Sequence, residues 1–317
     1  MDREIGGFFE LERFCGVEYY EELIPLNTAR NALAYLIRVK KIKKLYIPFY
    51  LCDSVSNVCE REGCVYEYYN IDKDFLPKFN KVLCKDEYLY IVNYFGFLNK
   101  NTVKQLKAKY KNIILDNVQA FFEKPIKGID TIYSCRKFFG VPDGAYLSTD
   151  IKPNLVLEID KSKDRFKHLL GRFEEDASTY YNDFKENDIS FDNTNLCSMS
   201  KLTQNILRGI DYKKIIKIRN DNYKTFDKEL GSINKLNLRA SNGPYCYPFY
   251  CRNGMEVKKI LAKKNIYIAT LWPNVLGLDG TLEKDYAENI LPLPCDQRYT
   301  KEDILRIISE IEREING

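Results

Sequence analysis

The chain has 317 residues, of which 45% are hydrophobic and 30% are charged, and its formal net charge is +4. This composition excludes a disordered chain, and the length is sufficient to bury a large core. The charge is small and dispersed, which argues against a nucleic-acid partner. The charged start Met1-Asp2-Arg3-Glu4 lacks the apolar segment of a signal peptide, and no apolar run has the length of a membrane span. We therefore expect a cytoplasmic protein that binds neither membranes nor nucleic acids.

The first half of the chain alternates between helical and strand-like segments. Apolar residues recur at helical spacing over residues 26–40, where Asn27-Thr28 is a favourable N-cap pair. Strands that alternate with helices indicate βαβ units, and hence an α/β fold with a mainly parallel central sheet. Further helices are predicted over residues 54–61 and 103–110, and strands over residues 45–47, 65–69, 88–93 and 112–115.

The second half is predicted to contain the end of this sheet and a separate module. Strand-like runs at residues 131–134 and 144–147 precede a polar helical stretch, and residues 202–230 read as a connecting helix broken near Gly209. The last part has an α+β pattern and ends in an amphipathic helix from Lys301. We predict a large domain over residues 26–230, a smaller α+β C-terminal domain over residues 231–317, and an N-terminal segment, residues 1–25, that packs on the small domain.

The ten cysteines do not have the spacing of a metal site. The sequence contains no CxxC pair, and His168 is its single histidine. A zinc site needs several cysteine and histidine ligands in close pairs. We therefore expect no metal, and reduced cysteines that serve as small apolar side chains.

Two residues of complementary chemistry follow neighbouring predicted strands. Asp116 ends the run that begins at residue 112, and Lys137 comes after the run 131–134. Ligands of open α/β sheets bind at the carboxyl ends of the strands. A pyridoxal 5'-phosphate (PLP) enzyme needs a lysine for the Schiff base and a carboxylate that keeps the pyridine nitrogen protonated. The pair predicts a PLP-dependent aminotransferase with Lys137 and Asp116 as catalytic residues, although each alone is also compatible with a surface lysine or an ordinary strand end.

Two polar residues near this pair extend the predicted cofactor site. Gln119 lies three residues after Asp116 and shares one face of a turn with it, so its amide is expected to reach the ring hydroxyl while Asp116 reaches the ring nitrogen. Ser134 lies three residues before Lys137 and offers a hydroxyl to the phosphate. The order Asp-x-x-Gln and then Ser-x-x-Lys is more specific than any one of these residues.

Two features from the first fifty residues are also assigned to the cofactor. The helix start Thr28-Ala29-Arg30 offers a phosphate backbone N–H groups and the favourable end of the helix dipole. Tyr50 lies at another strand end, where it would stack on the pyridine ring, and core packing of this aromatic ring is an equal alternative.

These motifs, in this order, resemble the DegT-type family of nucleotide-sugar aminotransferases, which have the aspartate aminotransferase fold (PLP fold type I). The helix start is similar to the family's phosphate-binding Ser-Gly-x-x-Ala-Leu turn, and Asp116-Asn117-Val118-Gln119-Ala120 is similar to its Asp-x-Ala-Gln-Ala motif. The further segments that carry the resemblance are residues 5–9, 92–96, 134–137, 142–144, 271–273 and 293–299.

The resemblance implies a homodimer with each active site at the subunit interface, glutamate as the amino donor and a keto-sugar nucleotide as the acceptor. The product would serve surface glycan (polysaccharide) or secondary-metabolite synthesis. The sequence departs from the family between residues 152 and 201, where the usual Asn-x-Arg is not evident and Asn195, Ser198 and Ser200 are nearby candidates. Two alternatives stay open: a PLP aminotransferase for a non-sugar carbonyl compound, for which Arg298 would be the pocket arginine, and a non-catalytic family-like protein.

Overall fold

The computed structural model describes residues 5–151, 155–192, 194–237 and 239–316. The first half of the chain forms the whole central sheet and the helices that connect its strands. Its elements, in chain order, are β1 (Ile24–Leu26), α1 (Ala29–Lys40), β2 (Lys44–Pro48), α2 (Ser54–Arg61), β3 (Val65–Ile71), β4 (Pro77–Lys78), β5 (Glu87–Val92), α3 (Lys100–Tyr110), β6 (Ile113–Asp116), β7 (Asp130–Ser134) and β8 (Ala145–Ser148).

The second half is mainly helical, with one short pair of strands. The described residues also form short 3-10 helices at Tyr94–Gly96, Lys163–Arg165 and Pro273–Gly277. The regular elements are α4 (Lys167–Glu174), α5 (Tyr181–Ser190), α6 (Lys201–Arg208), α7 (Tyr212–Leu230), β9 (Tyr247–Tyr250), α8 (Gly254–Lys263), α9 (Leu282–Asn289), β10 (Ile290–Leu293) and α10 (Lys301–Asn316).

The central sheet has eight strands in the order β1-β8-β7-β6-β5-β2-β3-β4. The five strands from β7 to β3 in this order pair in parallel, and β8, β1 and β4 join antiparallel at the two edges. The inner strands are almost wholly buried, as expected for parallel strands that are covered by helices on both faces. The predicted α/β fold with a mainly parallel central sheet is therefore confirmed.

Helix α1 begins three residues later than predicted. Residues 24–26 form β1, which pairs antiparallel with β8, so the prediction of helix from residue 26 was wrong there. Thr28 has an extended backbone, and its side chain accepts a hydrogen bond from the Asn31 N–H, which makes Thr28 the N-cap. The predicted cap is therefore correct, and the strand before it was missed because three residues carry too little periodicity.

The predicted break in the connecting helix is confirmed. Helix α6 ends at Arg208 and α7 begins at Tyr212, and the Asp211 side chain caps α7 by accepting a hydrogen bond from the Lys214 N–H. Helix α7 then leads into the C-terminal part. Phe226 and Leu230 of α7 belong to the same apolar core as β9, β10, α8 and α10, so this core begins before residue 231.

The N-terminal segment runs along α6 in the part that the structure describes. The Phe14 N–H donates to Asn205 Oδ1 at 3.0 Å, and Asn205 Nδ2 donates to the Glu12 carbonyl at 2.9 Å. Tyr20 follows, and its hydroxyl donates to the Phe121 carbonyl at 2.6 Å. Residues 1–4 lie outside the described residues, and the proposed division into domains stays a prediction. None of the helices within the described ranges is long and apolar enough to cross a membrane.

Candidate active site

Three neighbouring parallel strands, β5, β6 and β7, end at one rim of the sheet. Asp116, the last residue of β6, pairs with Val92 of β5 on one side and with Ile132 of β7 on the other. Ser134 ends β7, and Lys137 follows in the loop that leads to β8. The strand register therefore brings Asp116, Ser134 and the Lys137 loop to the same edge, which is the edge at which α/β sheets bind ligands.

Asp116 is 3% exposed, and both of its carboxylate oxygens accept hydrogen bonds. Oδ1 accepts from the Val118 N–H at 2.8 Å, and Oδ2 accepts from the Tyr90 hydroxyl at 2.8 Å. Burial raises the pKa of the Asp116 carboxyl, and the Val118 N–H, the Tyr90 hydroxyl and the positive charge of Lys137 oppose that rise. A buried carboxylate of this kind gains stability from a further cationic partner.

Lys137 is exposed on the single chain, unlike most residues of the surrounding loop. Its Nζ lies 5.8 Å from the centre of the Tyr245 ring. Burial raises the pKa of Asp116 and of Tyr245, and the positive charge of Lys137 opposes both rises. An exposed amine at this edge of the sheet is suited to react with a ligand held over Asp116.

Gln119 is buried at the same rim, and of its two amide groups only the oxygen is hydrogen-bonded among the described residues. Its Oε1 accepts from the Phe95 N–H at 2.9 Å, while its Nε2 has no hydrogen-bond partner among the described residues. Because the bond to Phe95 fixes the orientation of the amide, the buried N–H₂ group is available to donate to a bound ligand. A ring hydroxyl of a bound cofactor would satisfy it.

The loop that anchors Gln119 needs an unusual backbone. Phe95 has a φ of 55° and Gly96 has a φ of 80°, both in the left-handed region. A Cβ atom on Gly96 would lie 2.6 Å from the Cβ of Ser241, so only glycine fits at this close approach. The turn brings the Phe95 N–H to Gln119.

Replacement of Gln119 by glutamate tests whether the Gln119 N–H₂ group binds the cofactor. Gln119→Glu keeps an oxygen for the Phe95 N–H but removes the N–H₂ donor, and we expect roughly tenfold weaker PLP binding by the apoprotein. The measurement is a titration of apoprotein with PLP. Gln105→Glu, at an exposed position on α3, adds the same charge and is the matched control. Equal PLP affinity in both variants would remove Gln119 from the site.

The start of α1 offers the predicted N–H groups, but its side chains are engaged within the chain. The first-turn N–H groups of a helix have no intrahelical partner, so those of Ala29 and Arg30 are suited to a phosphate. The Thr28 hydroxyl caps the helix. The Arg30 side chain forms an ion pair with Asp188 of α5 at 3.2 Å, and Arg136, next to Lys137, forms an ion pair with the same carboxylate at 3.0 Å.

Tyr50 is buried in an aromatic core. It is 1% exposed, and its ring lies 4.3 Å from Trp272 and 5.4 Å from Tyr94 between ring centres. These contacts favour the alternative of core packing, and stacking of Tyr50 on the cofactor stays a prediction.

Among the candidates that replace the family's Asn-x-Arg, Ser200 has its side chain engaged within the same chain, whereas the contacts seen for Asn195 and Ser198 are made by their backbone. The Ser200 hydroxyl donates to Asp143 Oδ1 at 2.7 Å and its N–H donates to Asp143 Oδ2 at 2.8 Å. The Asn195 carbonyl accepts from Asn31 Nδ2 at 2.9 Å, and Ser198 forms a β-bridge with Leu26. Ser200 is only 1% exposed, so it is unsuited to reach a ligand.

A buried arginine that the sequence did not single out holds the lysine loop. Arg219 of α7 is 1% exposed, and its guanidinium donates to the carbonyl of Phe138, the residue after Lys137, at 3.2 Å. It also donates to the Pro244 carbonyl at 2.9 Å and to Gln297 Oε1 at 2.8 Å, and Gln297 Nε2 donates to the same Phe138 carbonyl at 2.8 Å. The backbone next to Lys137 is thus held from α7 and from the segment after β10.

Arg219→Ala is expected to destabilise the fold strongly. The substitution removes the buried guanidinium donor of the Pro244 carbonyl and of the Gln297 amide oxygen, and one of the two donors of the Phe138 carbonyl, which costs about 3 kcal/mol or more. The measurement is the free energy of unfolding in denaturant. Arg208→Ala is the control, because Arg208 pairs with Glu18 at the surface and its loss is expected to cost less than about 1 kcal/mol. Equal, small losses in the two variants would contradict the assignment.

The described fold is that of PLP-dependent transferases of fold type I, as predicted. The sequence matches no protein-family model and no curated protein. Among solved structures, it is similar to NtdA of Bacillus subtilis with bound cofactor PMP, with a TM-score of 0.67, 13% identity, and coverage of 95% of this chain and 74% of that chain. At this low identity the likeness establishes the fold.

Two aminotransferases show the same likeness. One is a DegT/DnrJ/EryC1/StrS aminotransferase from Brucella abortus, with a TM-score of 0.62, 14% identity, and coverage of 94% of this chain and 87% of that chain. The other is the sugar aminotransferase CalS13 from Micromonospora echinospora, with a TM-score of 0.61, 13% identity, and coverage of 92% and 87%. These structures are of the type that the sequence motifs resemble.

The residues at the rim fit PLP. The buried carboxylate of Asp116 suits a protonated ring nitrogen, the Gln119 Nε2 group, which has no partner among the described residues, suits a ring hydroxyl, and the exposed Lys137 suits the covalent bond. The α1 start offers a phosphate site. Among the described residues, no three His, Cys, Asp or Glu side chains are grouped to hold a metal ion.

Proposed function

We propose that this protein is a PLP-dependent aminotransferase that moves an amino group from glutamate to a keto-sugar nucleotide. One observation carries the proposal: the buried Asp116 carboxylate, the exposed Lys137 side chain and the Gln119 Nε2 group, which has no partner among the described residues, lie at one rim of a fold type I sheet. The solved structures similar to this chain include proteins named as sugar aminotransferases and one with bound PMP.

Each residue then has a defined role. PLP, when bound, supplies an electron sink and carries the amino group between the two half-reactions. Asp116 binds the ring nitrogen and favours its protonated form, and Gln119 orients the ring through its hydroxyl. The first-turn N–H groups of Ala29 and Arg30, the N-cap residue Thr28 before them and the Ser134 hydroxyl bind the phosphate. Lys137 anchors the cofactor and, once released, moves the proton at the substrate Cα.

A homodimer with active sites at the interface is part of the proposal. Lys137 is exposed on the single chain, whereas an active site of this chemistry needs exclusion of water. Large apolar side chains of the helical stretch near the lysine loop are also exposed, as is typical of a surface that is covered in an assembly. The exposed residues of this kind are Leu170, Phe173, Tyr181, Phe184 and Ile189.

The acceptor is proposed to be a nucleotide sugar, for surface glycan or secondary-metabolite synthesis in the cytoplasm. The alternative of a small non-sugar carbonyl compound required a free pocket arginine. Arg298, the candidate, donates to Asp296 Oδ1 at 2.7 Å through Nε and to Asp296 Oδ2 at 2.8 Å through Nη2. Because the guanidinium is already held by a carboxylate, this residue does not favour the alternative.

Single-turnover half-reactions test the function. Glutamate added to the PLP-loaded protein is expected to give one equivalent of 2-oxoglutarate per site and to convert PLP to PMP, and a keto-sugar nucleotide is then expected to restore PLP. Restoration by simple ketones but not by any keto-sugar nucleotide would assign the alternative substrate class. PLP that binds but exchanges no amino group with any amino acid would support the non-catalytic alternative.

A further inference from the structure

We propose that Tyr90 is a positioning residue that fixes the Asp116 carboxylate and keeps it ionised toward the ring nitrogen of the cofactor; this inference rests on the proposed function. Neither the motifs nor the spacing of the sequence singles out Tyr90. It lies in the middle of β5, and its side chain reaches across to the end of β6, the neighbouring strand.

The geometry leaves the carboxylate one defined orientation. The Tyr90 hydroxyl donates to Asp116 Oδ2 at 2.8 Å, while Oδ1 is bound by the Val118 N–H in its own turn. Rotation of the carboxyl group would break both bonds. Tyr90 itself is 3% exposed, and its backbone pairs with Ile114 in the parallel ladder between β5 and β6, so the donor is held within the sheet.

The other groups that face Asp116 do not replace this donor. Tyr69 of β3 and Tyr94 of the turn after β5 lie near enough for the Asp116 charge to contribute to their raised pKa values, although burial is the larger cause. Neither hydroxyl bonds the carboxylate: Tyr69 donates to Tyr90, and Tyr94 donates to the Tyr50 carbonyl. Lys137 is the cation that acts on Asp116, and in the proposed function its amine is committed to the cofactor.

Asn93, which follows β5, is also occupied elsewhere. Its Nδ2 donates to Asn117 Oδ1 at 3.0 Å, and its Oδ1 accepts from the Leu98 N–H at 2.8 Å. The side-chain donor to Asp116 in the described structure is therefore Tyr90. A phenol that donates its proton to Oδ2 stabilises the carboxylate over the carboxylic acid, and so opposes transfer of the ring proton to Asp116.

Tyr90→Phe and Tyr69→Phe form a matched pair. Each removes one hydroxyl from a buried tyrosine on neighbouring parts of the sheet, but only the first removes a bond to Asp116. We expect Tyr90→Phe to weaken PLP binding by the apoprotein roughly tenfold, and Tyr69→Phe to bind PLP like the wild type. In an Asp116→Asn background the ionised acceptor of the Tyr90 hydroxyl is gone. Tyr90→Phe is therefore expected to weaken PLP binding there by less than about half as much, on a logarithmic scale of the dissociation constant, as it does in the wild type.

The apoprotein gives a readout that does not need PLP. Burial raises the pKa of Asp116, so the folded state binds this proton more tightly than the unfolded state does, and the stabilisation is present at low pH and is lost as pH rises through the folded pKa. Loss of the Tyr90 donor raises the folded pKa further. The stability of Tyr90→Phe relative to the wild type is therefore expected to fall as pH rises from about 4 to 7, while Tyr69→Phe keeps a constant offset.

The outcomes separate this inference from the proposed function. If the wild type binds PLP on Lys137 and the two tyrosine variants match each other in affinity and in pH dependence, Tyr90 has no positioning role. If the wild type does not bind PLP, the proposed function is wrong and the role of Tyr90 toward a cofactor is lost with it. A tenfold loss confined to Tyr90→Phe, with the pH-dependent offset, would support the inference. If Tyr90→Phe does not fold, Tyr90→Phe and Tyr69→Phe are compared in the Asp116→Asn background. Equal folding of the two variants there would show that the folding defect came from the lost bond to Asp116. A folding defect of Tyr90→Phe that persists there would overturn the inference.

Discussion

Lys137→Ala is expected to abolish covalent attachment of PLP and to lower the rate of amino transfer by at least about 10⁴-fold. The reason is that the variant loses both the amine that anchors the cofactor and the base that moves the proton. The fold is expected to remain, with a free energy of unfolding within about 0.5 kcal/mol of the wild type, because the side chain is exposed. The measurements are the rate of the glutamate half-reaction and the unfolding curve in denaturant.

Lys127→Ala is the matched control for this variant. Lys127 is an exposed lysine in the segment between β6 and β7, and the substitution removes the same charge away from the rim. It is expected to retain the full rate. Turnover by Lys137→Ala at a rate close to that of Lys127→Ala would exclude Lys137 as the catalytic amine.

Asp116→Asn is expected to have the second largest effect on activity. The asparagine keeps oxygen and amide groups at the rim but cannot act as the charge partner of a protonated ring nitrogen, so we expect the rate to fall by about 10²- to 10³-fold, with weaker retention of PLP. The stability of the apoprotein variant relative to the wild type is expected to rise with pH. Burial raises the pKa of Asp116, so ionisation costs the folded state stability as pH rises, and asparagine has no such cost.

Asp130→Asn is the control for the loss of a buried carboxylate. Asp130, at the start of β7, pairs with Lys40 at 2.6 Å and accepts from the Thr149 hydroxyl at 2.7 Å, at the opposite end of the strand from Ser134. Its replacement is expected to cost about 3 kcal/mol of stability and to leave the PLP affinity unchanged. Asp130→Asn is therefore expected to lower the stability without lowering the PLP affinity, whereas Asp116→Asn is expected to lower the PLP affinity. Unchanged kinetics in Asp116→Asn would contradict its assignment as charge partner.

The larger elements of the fold follow from local patterns. Alternating apolar runs and capped helices predicted the parallel sheet, and the Thr28 cap and the break near Gly209 were found where the sequence indicated. Strand β1 was missed, since its three residues gain their stability from pairing with β8, which lies more than a hundred residues later in the chain. Short strands of this kind depend on tertiary contacts rather than on their own periodicity.

The candidate site also has one part that the sequence indicated and one part that depends on tertiary contacts. The predicted site residues end strands or follow them, so their positions along the chain indicated that they share a rim; they are Asp116, Gln119, Ser134 and Lys137. The roles assigned to these residues stay predictions. Their supporting contacts were not predictable, because a side chain such as Tyr90 has the same appearance in the sequence as any strand tyrosine. Arg219 reaches the loop of Lys137 from a helix 81 residues away. Spacing along the chain does not reveal which side chains meet over such distances.

The most direct test of the central claim is peptide mass mapping after borohydride reduction of the PLP-loaded protein. We predict an absorbance band of the bound cofactor that is lost on reduction, and a peptide in which the added mass of the reduced PLP lies on Lys137. No band and no adduct, or an adduct confined to exposed lysines such as Lys127, would contradict the assignment and leave the non-catalytic alternative in its place.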